Sequence, residues 1–502
     1  MQRRQERWKE RFTRVHETLT NCLPKASARM QLLYLRHTET MERNRRRAVL
    51  ALLRNAPVLK SPGPQYPRRP FAGCIAVPAL CWVLGFGAFA SAQQAIAIRD
   101  ATVVTVSGPT LRKGTVVLRS GLIEAVGPEV ASPADAWIIE GEGLNVYPGL
   151  IDGASNWGMP QNLSPGGMGR GGRGPEDRPG ATTWVKAADE LQPSDPRLER
   201  ARSAGFTTAA VFPMRGIFCG QGSIVNLAGE RAGDMVLAPR IGQFLTMSQA
   251  ASGFPAALMG TIAYIRQVYL DAGRYAALKE AYQREPRGIR RPDYDRALEG
   301  VLESKRILLP ANRRVEIDRM QNFAAELGQP AILYGMQEGY RSIDLLKKAG
   351  APVLVNLRWP ERGPDTNPDQ PENARVLEMR DRAPSTAAEL AKAKVKFAFY
   401  SGGLDQPRDL QKAIKKAIGA GLPRSEAVRA LTLAPAEIYG VADRLGSIDK
   451  GKIANLVVTR GELFDDNTRI EMVFVDGKRF LTAPETTAPG GRGPVTNRGN
   501  ER

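Results

Sequence analysis

The sequence predicts an α/β fold: a TIM-type (β/α)8 barrel with a small β-sandwich formed by both ends of the mature chain. Three observations predict it. Helix–glycine–strand units repeat through the middle of the chain. Short strands rich in β-branched residues stand before and after that region. An apolar segment with the features of an export signal sets where the mature chain begins.

The repeated units come first. Leu198–Ala204 precedes Gly205 and TTAAVF, and Ile317–Leu327 precedes Gly328 and AILY. Ser342–Ala349 precedes Gly350 and PVLVNL, and a helix from Ser385 leads into KFAFY. Glycine after a helix is the expected C-terminal cap. Solidly apolar strands separated by helices predict a parallel sheet with both faces covered. About 280 residues of such units suit a barrel better than an open sheet.

The flanking strands come next. Residues 96–106, 114–120, 122–127 and 137–141 read as strands separated by Ser107-Gly108-Pro109, Ser120-Gly121 and Gly127-Pro128. A second set is IANLVVTR at 453–460 and IEMVFVDGKRF at 470–480, where Asp476-Gly477 marks a hairpin turn. Neither set has enough strands to stand alone, so the two are expected to pair. Charge-rich residues 271–306 predict a helical excursion. The glycine-rich loop 164–180 and the tail from Pro484 predict loose segments.

The formal charge is +19, and residues 1–70 hold 17 Lys and Arg against 5 Asp and Glu. The uncharged run FAGCIAVPALCWVLGFGAFA follows at 71–90, with Arg68 and Arg69 before it and Ala90-Ser91-Ala92 after it. This is the pattern of a secretory signal cleaved after Ala92. The run also has the length of a membrane anchor; the Ala-x-Ala end and Pro78 favour cleavage. Two readings fit residues 1–70: an extension upstream of the true start, or a basic arm for an acidic partner. The expected location is periplasmic or secreted, with membrane contact only through the signal. Nucleic acid is not an expected partner. Of four cysteines only Cys219 follows the cleavage point, so the mature chain has no intramolecular disulfide.

Four stretches resemble the amidohydrolase superfamily, in particular its exported, imidazolonepropionase-like branch. They are VYPGLIDG (146–153), ARSAGFTTAAVFP (201–213), GQGSIVNLAGE (220–230) and ALTLAPAEIYGVADRLGSIDKGKIANLVV (430–458). The resemblance implies a barrel at 148–440 with the sandwich in two parts, 93–147 and 441–483. Ahead of them stand the extension 1–70 and the signal 71–92, and the tail 484–502 follows. In this superfamily the barrel strands end in ligands for Zn or another divalent metal, which lowers the pKa of a bound water. The first-strand pattern is Asp-x-His-x-His; here Asp152-Gly153 is followed by Ala154, Ser155 and Asn156. The remaining ligand positions fall on Asn312 (Pro310 in a shifted register), Gly335 and Gly402.

The only histidines, His16 and His37, lie ahead of the export segment. No register shift can find a histidine in the mature chain. The same absence excludes Ser-His and Cys-His nucleophilic catalysis. No cofactor is therefore expected. Asp152, Glu338 and Asp405 remain as carboxylates able to hold Mg²⁺ or Ca²⁺; each also has a structural reading, as a loop cap or at a helix start. Cys219 reads as a small buried or loop thiol.

The barrel mouth is the expected pocket, with Asn156, Arg215, Gln221, Asn312, Gln337, Glu338, Ser401 and Asp405 as its polar lining. The leading expectation is a catalytically silent protein that binds a small molecule, an active relative or a second copy of itself. The alternative is a hydrolase of non-peptide or dipeptide C–N bonds with a non-standard site. A third reading places function in the basic arm.

Overall fold

The structure, a computed structural model, describes residues 95–160, 178–247, 254–363, 371–404 and 406–482. The extension, the export segment, most of the glycine-rich loop, Asp405 and the tail lie outside the described residues.

The chain begins with β1 (Ile96–Val103), β2 (Leu111–Arg119), β3 (Leu122–Gly127), β4 (Trp137–Glu140), β5 (Leu144–Pro148) and β6 (Leu150–Ser155). Then come α1 (Ala187–Glu190), α2 (Pro196–Ser203), β7 (Phe206–Val211), β8 (Phe218–Gln221), β9 (Ser223–Asn226), α3 (Ala232–Met235), β10 (Val236–Ala238) and β11 (Gln243–Leu245). The middle holds α4 (Leu258–Arg284), α5 (Arg296–Leu302), β12 (Ile307–Ala311), α6 (Arg314–Glu326), β13 (Ala331–Gly335), α7 (Ile343–Ala349) and β14 (Val353–Asn356). The remainder is α8 (Ala374–Arg382), α9 (Thr386–Lys392), β15 (Phe397–Tyr400), α10 (Pro407–Gly419), α11 (Arg424–Ala430), α12 (Leu433–Tyr439), β16 (Leu456–Arg460), β17 (Arg469–Val475) and β18 (Lys478–Leu481).

The two flanking strand sets form one sheet in the order β18-β17-β16-β5-β1-β2-β3, with β4 on β1. The junction is antiparallel, with Val457 opposite Tyr147 and Thr459 opposite Asn145. The expected pairing of the sets is therefore found. The strand β5 that makes the junction was not separated from its neighbour in the sequence. Asp476 (φ 51°) and Gly477 (φ 72°) turn the β17–β18 hairpin as expected.

Between the sets lie two more sheets, β10-β9-β7-β6 and β15-β14-β13-β12-β11-β8. β11 to β15 are all parallel, as are β6 and β7. The all-parallel expectation fails at β8 and β9, which run antiparallel to β11 and β7. Only Phe212–Ile217 separate β7 from β8, too short a link for a parallel crossover, so the chain returns antiparallel.

Side chains alternate between two cores, as the period of a strand requires. Leu309, Leu333, Val353, Val355 and Phe399 pack toward the helices. Leu308, Ile332, Leu354 and Ala398 pack into an interior shared with Ile151, Ala210, Ile224 and Phe244 from the other strands. The outer strands β6 and β15 lie side by side. A Cβ on Gly153 would come within 2.7 Å of the Phe399 carbonyl oxygen, which explains glycine there. The helical excursion is found as α4, 27 residues long, and α5. No helix among the described residues is long and apolar enough to cross a membrane.

Candidate functional site

The strand ends facing the shared interior carry the positions expected to matter. Asp152 sits inside β6 with no exposed surface, so it caps no loop. Its Oδ1 accepts the Ser401 backbone N–H (2.9 Å) and the Ala154 N–H (3.3 Å). Oδ2 and the Ser401 hydroxyl are buried without a hydrogen-bond partner. Burial raises the Asp152 carboxyl to about 7, against the lowering effect of its hydrogen bonds to Ser401 and Ala154.

The other positions are closed over. Gly335 ends β13 at φ 120°, and a Cβ there would come 2.2 Å from Asn312 Oδ1. Gly402 follows β15 at φ 61°, and a Cβ there would come 1.9 Å from Asn356 Oδ1. In both cases an asparagine from the preceding strand's end fills the place of the missing side chain. Asn356 is a residue the sequence reading did not single out. Its Oδ1 also accepts the Arg358 backbone N–H at 2.8 Å. Asn156 Oδ1 accepts from Arg197 Nη1 at 3.1 Å. Arg197 is itself buried and held by Asp195 Oδ2 and the Met159 carbonyl.

Five aromatic rings run through the shared interior. Tyr439 lies 6.3 Å from Phe212, and Phe212 lies 5.1 Å from Phe244. Phe244 stacks on Tyr334 at 4.7 Å, and Tyr334 meets Tyr400 edge to face at 6.4 Å. The Tyr334 hydroxyl donates to the Leu245 carbonyl and the Tyr439 hydroxyl to that of Gly153, which satisfies these two polar ends. Burial pushes all three phenols up, Tyr400 and Tyr439 further through the nearby Asp152 charge. Strand alternation in the sequence could have flagged Tyr334 and Tyr400. β11, three residues long, gave no such signal for Phe244.

A cavity of about 440 Å³ lies to one side of this run, at the ends of β6 and β7. Asn156, Met159, Glu190, Phe212, Met214 and Arg215 are among its lining. Of the expected pocket residues Asn156 and Arg215 reach it; Gln221, Asn312, Gln337, Glu338 and Ser401 do not. Gln221 is buried in the antiparallel β8, where its Nε2 donates to the Gly300 carbonyl of α5 (3.0 Å). Glu338 precedes a short 3₁₀ turn, not an α-helix, and is clamped by Arg375 Nε and Nη2, both at 2.9 Å. The Arg375 guanidinium holds its carboxyl below the usual range. Cys219 is buried, and desolvation pushes its thiol up.

A divalent transition metal needs three or four converging nitrogen, sulfur or carboxylate donors. Ala154, Gly335 and Gly402 offer no side-chain donor, and the Asn156 carbonyl is engaged by Arg197. Among the described residues no three His, Cys, Asp or Glu side chains converge on a common point. Asp152 and Glu338 do not share a ligand set: the second is enclosed by Arg375 and the Arg314 N–H. The donor set on these strand ends does not fit the superfamily's metal.

Comparison with known proteins places the chain. The Amidohydrolase family model matches residues 378–480. The chain is 41% identical over 70 residues to the N-acetylglucosamine-6-phosphate deacetylase of Haemophilus influenzae, covering 14% of this chain and 17% of that protein. It is 24% identical over 415 residues to amidohydrolase tasK of Hapsidospora irregularis, covering 74% of this chain and 40% of that protein. It thus spans less than half the length of these curated relatives. An amidohydrolase from Thermotoga maritima matches in structure with a TM-score of 0.65 and 27% identity, over 77% of this chain and 100% of that one. The family match begins within α8 and runs through β15 and the return into the flanking sheet, where the sequence resemblance was longest. Residues 378–480 thus carry an Amidohydrolase family domain, and the chain shares its fold with an amidohydrolase.

Proposed function

We propose that the chain is an exported amidohydrolase-like protein whose metal centre is degenerate, acting as a catalytically silent binding or partner subunit. On this reading the two inner sheets are the halves of one (β/α)8 barrel, and the flanking strands are its composite β-sandwich. The chain then falls in the imidazolonepropionase-like branch, and its first 92 residues are absent from the mature form.

One observation carries the reading. The positions that the resemblance assigns to the superfamily's ligands are Ala154, Asn156, Asn312, Gly335 and Gly402 here, and Asn312 and Asn356 lie against Gly335 and Gly402. Hydrolysis in the superfamily depends on a metal-activated water. A strand end without ligands gives that water no place.

The alternative remains a hydrolase of non-peptide or dipeptide C–N bonds working through a carboxyl group. Asp152 favours it, because a carboxyl raised to about 7 lies in the range useful for a general base. Its burial next to Tyr400 and Tyr439 speaks against it, because a base must reach its substrate's proton.

Metal analysis of the purified chain, with hydrolysis assays on acyl-amino acids, dipeptides and cyclic amides, decides between them. The silent reading expects substoichiometric transition metal and no turnover. Stoichiometric metal, or turnover abolished by Asp152→Asn, overturns it.

A further inference from the structure

We propose that the cavity between α9, the start of β15 and α11 is a binding site for a small hydroxylated carboxylate. It lies at the opposite end of β15 from Ser401 and Gly402, since Phe397 on its lining opens that strand.

The cavity measures about 230 Å³, below the usual range for drug-sized ligands, so its occupant is small. Its floor is carbon, from the buried Val395, Phe397 and Ala430. Its rim is charged, with Lys394, Lys396 and Arg429 beside Glu426. Glu437 accepts two hydrogen bonds from Arg429 Nη2, at 2.9 and 3.0 Å, and lies 3.7 Å from Lys396 Nζ. With Glu437 counted, three cations face two carboxylates, and one positive charge is left over. Lys394 and Glu426 form no hydrogen bond or ion pair with a described residue.

The backbone at Lys394 is a second, independent sign. The Lys394 N–H donates to the Ala391 carbonyl and the Val395 N–H to that of Leu390, both at 3.0 Å, which closes the end of α9. Lys394 thereby sits at φ 58°. α6, α10 and α12 close with the same pair of bonds, and there the residue is Gly328, Gly421 or Gly440. Glycine is usual at this place because a Cβ disfavours the conformation. A lysine held in a disfavoured conformation, on the rim of a cavity and without a partner among the described residues, marks a ligand contact.

The charges set the ligand's chemistry. A surplus of one positive charge matches a monoanion, whereas a phosphate ester carries nearly two negative charges at neutral pH. Arg429 spends only Nη2 on Glu437, so Nε and Nη1 remain as donors in a plane that suits a carboxylate. An ionised carboxylate only accepts, so the same ligand must bring a hydroxyl donor to Glu426.

Calorimetric titration of the full-length chain with gluconate, glucose and glucosamine tests this, because the three share hydroxyls and differ in charge. Gluconate is expected to bind at one site, and the other two at least about tenfold more weakly. Lys394→Gly removes the charge and supplies the residue the backbone favours. It should weaken gluconate about tenfold or more, with a melting temperature at or above that of the parent. Lys394→Arg keeps the charge and should hold gluconate within about threefold of the parent. The proposal is overturned by glucose binding as tightly as gluconate, by no saturable gluconate binding, or by gluconate binding that Lys394→Gly leaves unchanged or Lys394→Arg abolishes. A lower melting temperature in Lys394→Gly would assign the lysine to the helix end instead, and overturns it too.

Discussion

Ser401, just after the last inner strand, donates its backbone N–H to Asp152 Oδ1 in the first, 2.9 Å away. This bond joins β15 to β6, the outer strands of two sheets. The carboxyl that accepts it is fully buried, with its second oxygen unpartnered. A wholly buried carboxylate without a cation carries a large desolvation penalty, which is the cause of its raised pKa.

That relationship makes stability depend on pH in a definite direction. Burial pushes the folded Asp152 carboxyl up to about 7, from its ordinary value of 3.8. Between these values the folded chain holds a proton the unfolded chain has lost, so stability falls as pH rises through this window. The contribution lost by pH 8 is about 4 kcal/mol at most. Asp152→Asn keeps an acceptor for Ser401 and cannot ionise. Urea unfolding at pH 5 and pH 8 should show a smaller loss for the variant, and the variant should be the more stable at pH 8.

Gly335 cannot regain a side chain without a second change. Its φ of 120° disfavours any other residue, and a Cβ would stand 2.2 Å from Asn312 Oδ1. Gly335→Ala should destabilise by about 1–3 kcal/mol from the backbone conformation, with the clash adding to it. Combining it with Asn312→Gly should recover the clash component only. Additive losses in a double-mutant cycle of melting temperatures would contradict this arrangement.

Phe244 holds the aromatic run together, touching Phe212 on one side and Tyr334 on the other. Phe244→Ala should cost about 3–5 kcal/mol of stability. Phe244→Leu retains most of the volume and should cost less. Chemical denaturation of both variants checks the order, and equal stabilities would show that the run is loosely packed.

Cys219 should be inert in the folded chain. It is 1% exposed, and its thiol is pushed up by burial, so thiolate is scarce at neutral pH. A thiol reagent should label it at the rate of unfolding, accelerating when urea is added. Rapid labelling of the native chain at Cys219 would show that the wall of the cavity opens.

Glu338 gives the opposite pH signature from Asp152. Arg375 and the Arg314 N–H lower its pKa, so its stabilisation is present above the unfolded value and fades as pH falls through the folded one. Glu338→Gln should weaken the chain at pH 7 by about 1–3 kcal/mol and remove this part of the acid-side loss. Acid unfolding curves of parent and variant compare the two directly.

By itself the sequence determined the helix–strand rhythm and the lack of histidine after His37. Gly205, Gly328 and Gly350 after three of the helices, apolar strands of four to six residues and a turn such as Asp476-Gly477 are local signals, and each is found at its place. The absence of histidine after His37 needs no geometry at all. Only the tertiary structure decided how those strand ends are filled. Asn312 over Gly335, Asn356 over Gly402 and Ser401 on Asp152 join residues from different strands, and Asp152 and Ser401 are 249 positions apart. Strand alternation says which side chains share a face, but not which neighbour fills a gap left by a glycine. The same limit made Gln221 and Glu338 look like pocket residues. Their polar groups are consumed by a backbone carbonyl of α5 and a guanidinium of α8, elements that the sequence does not place beside them.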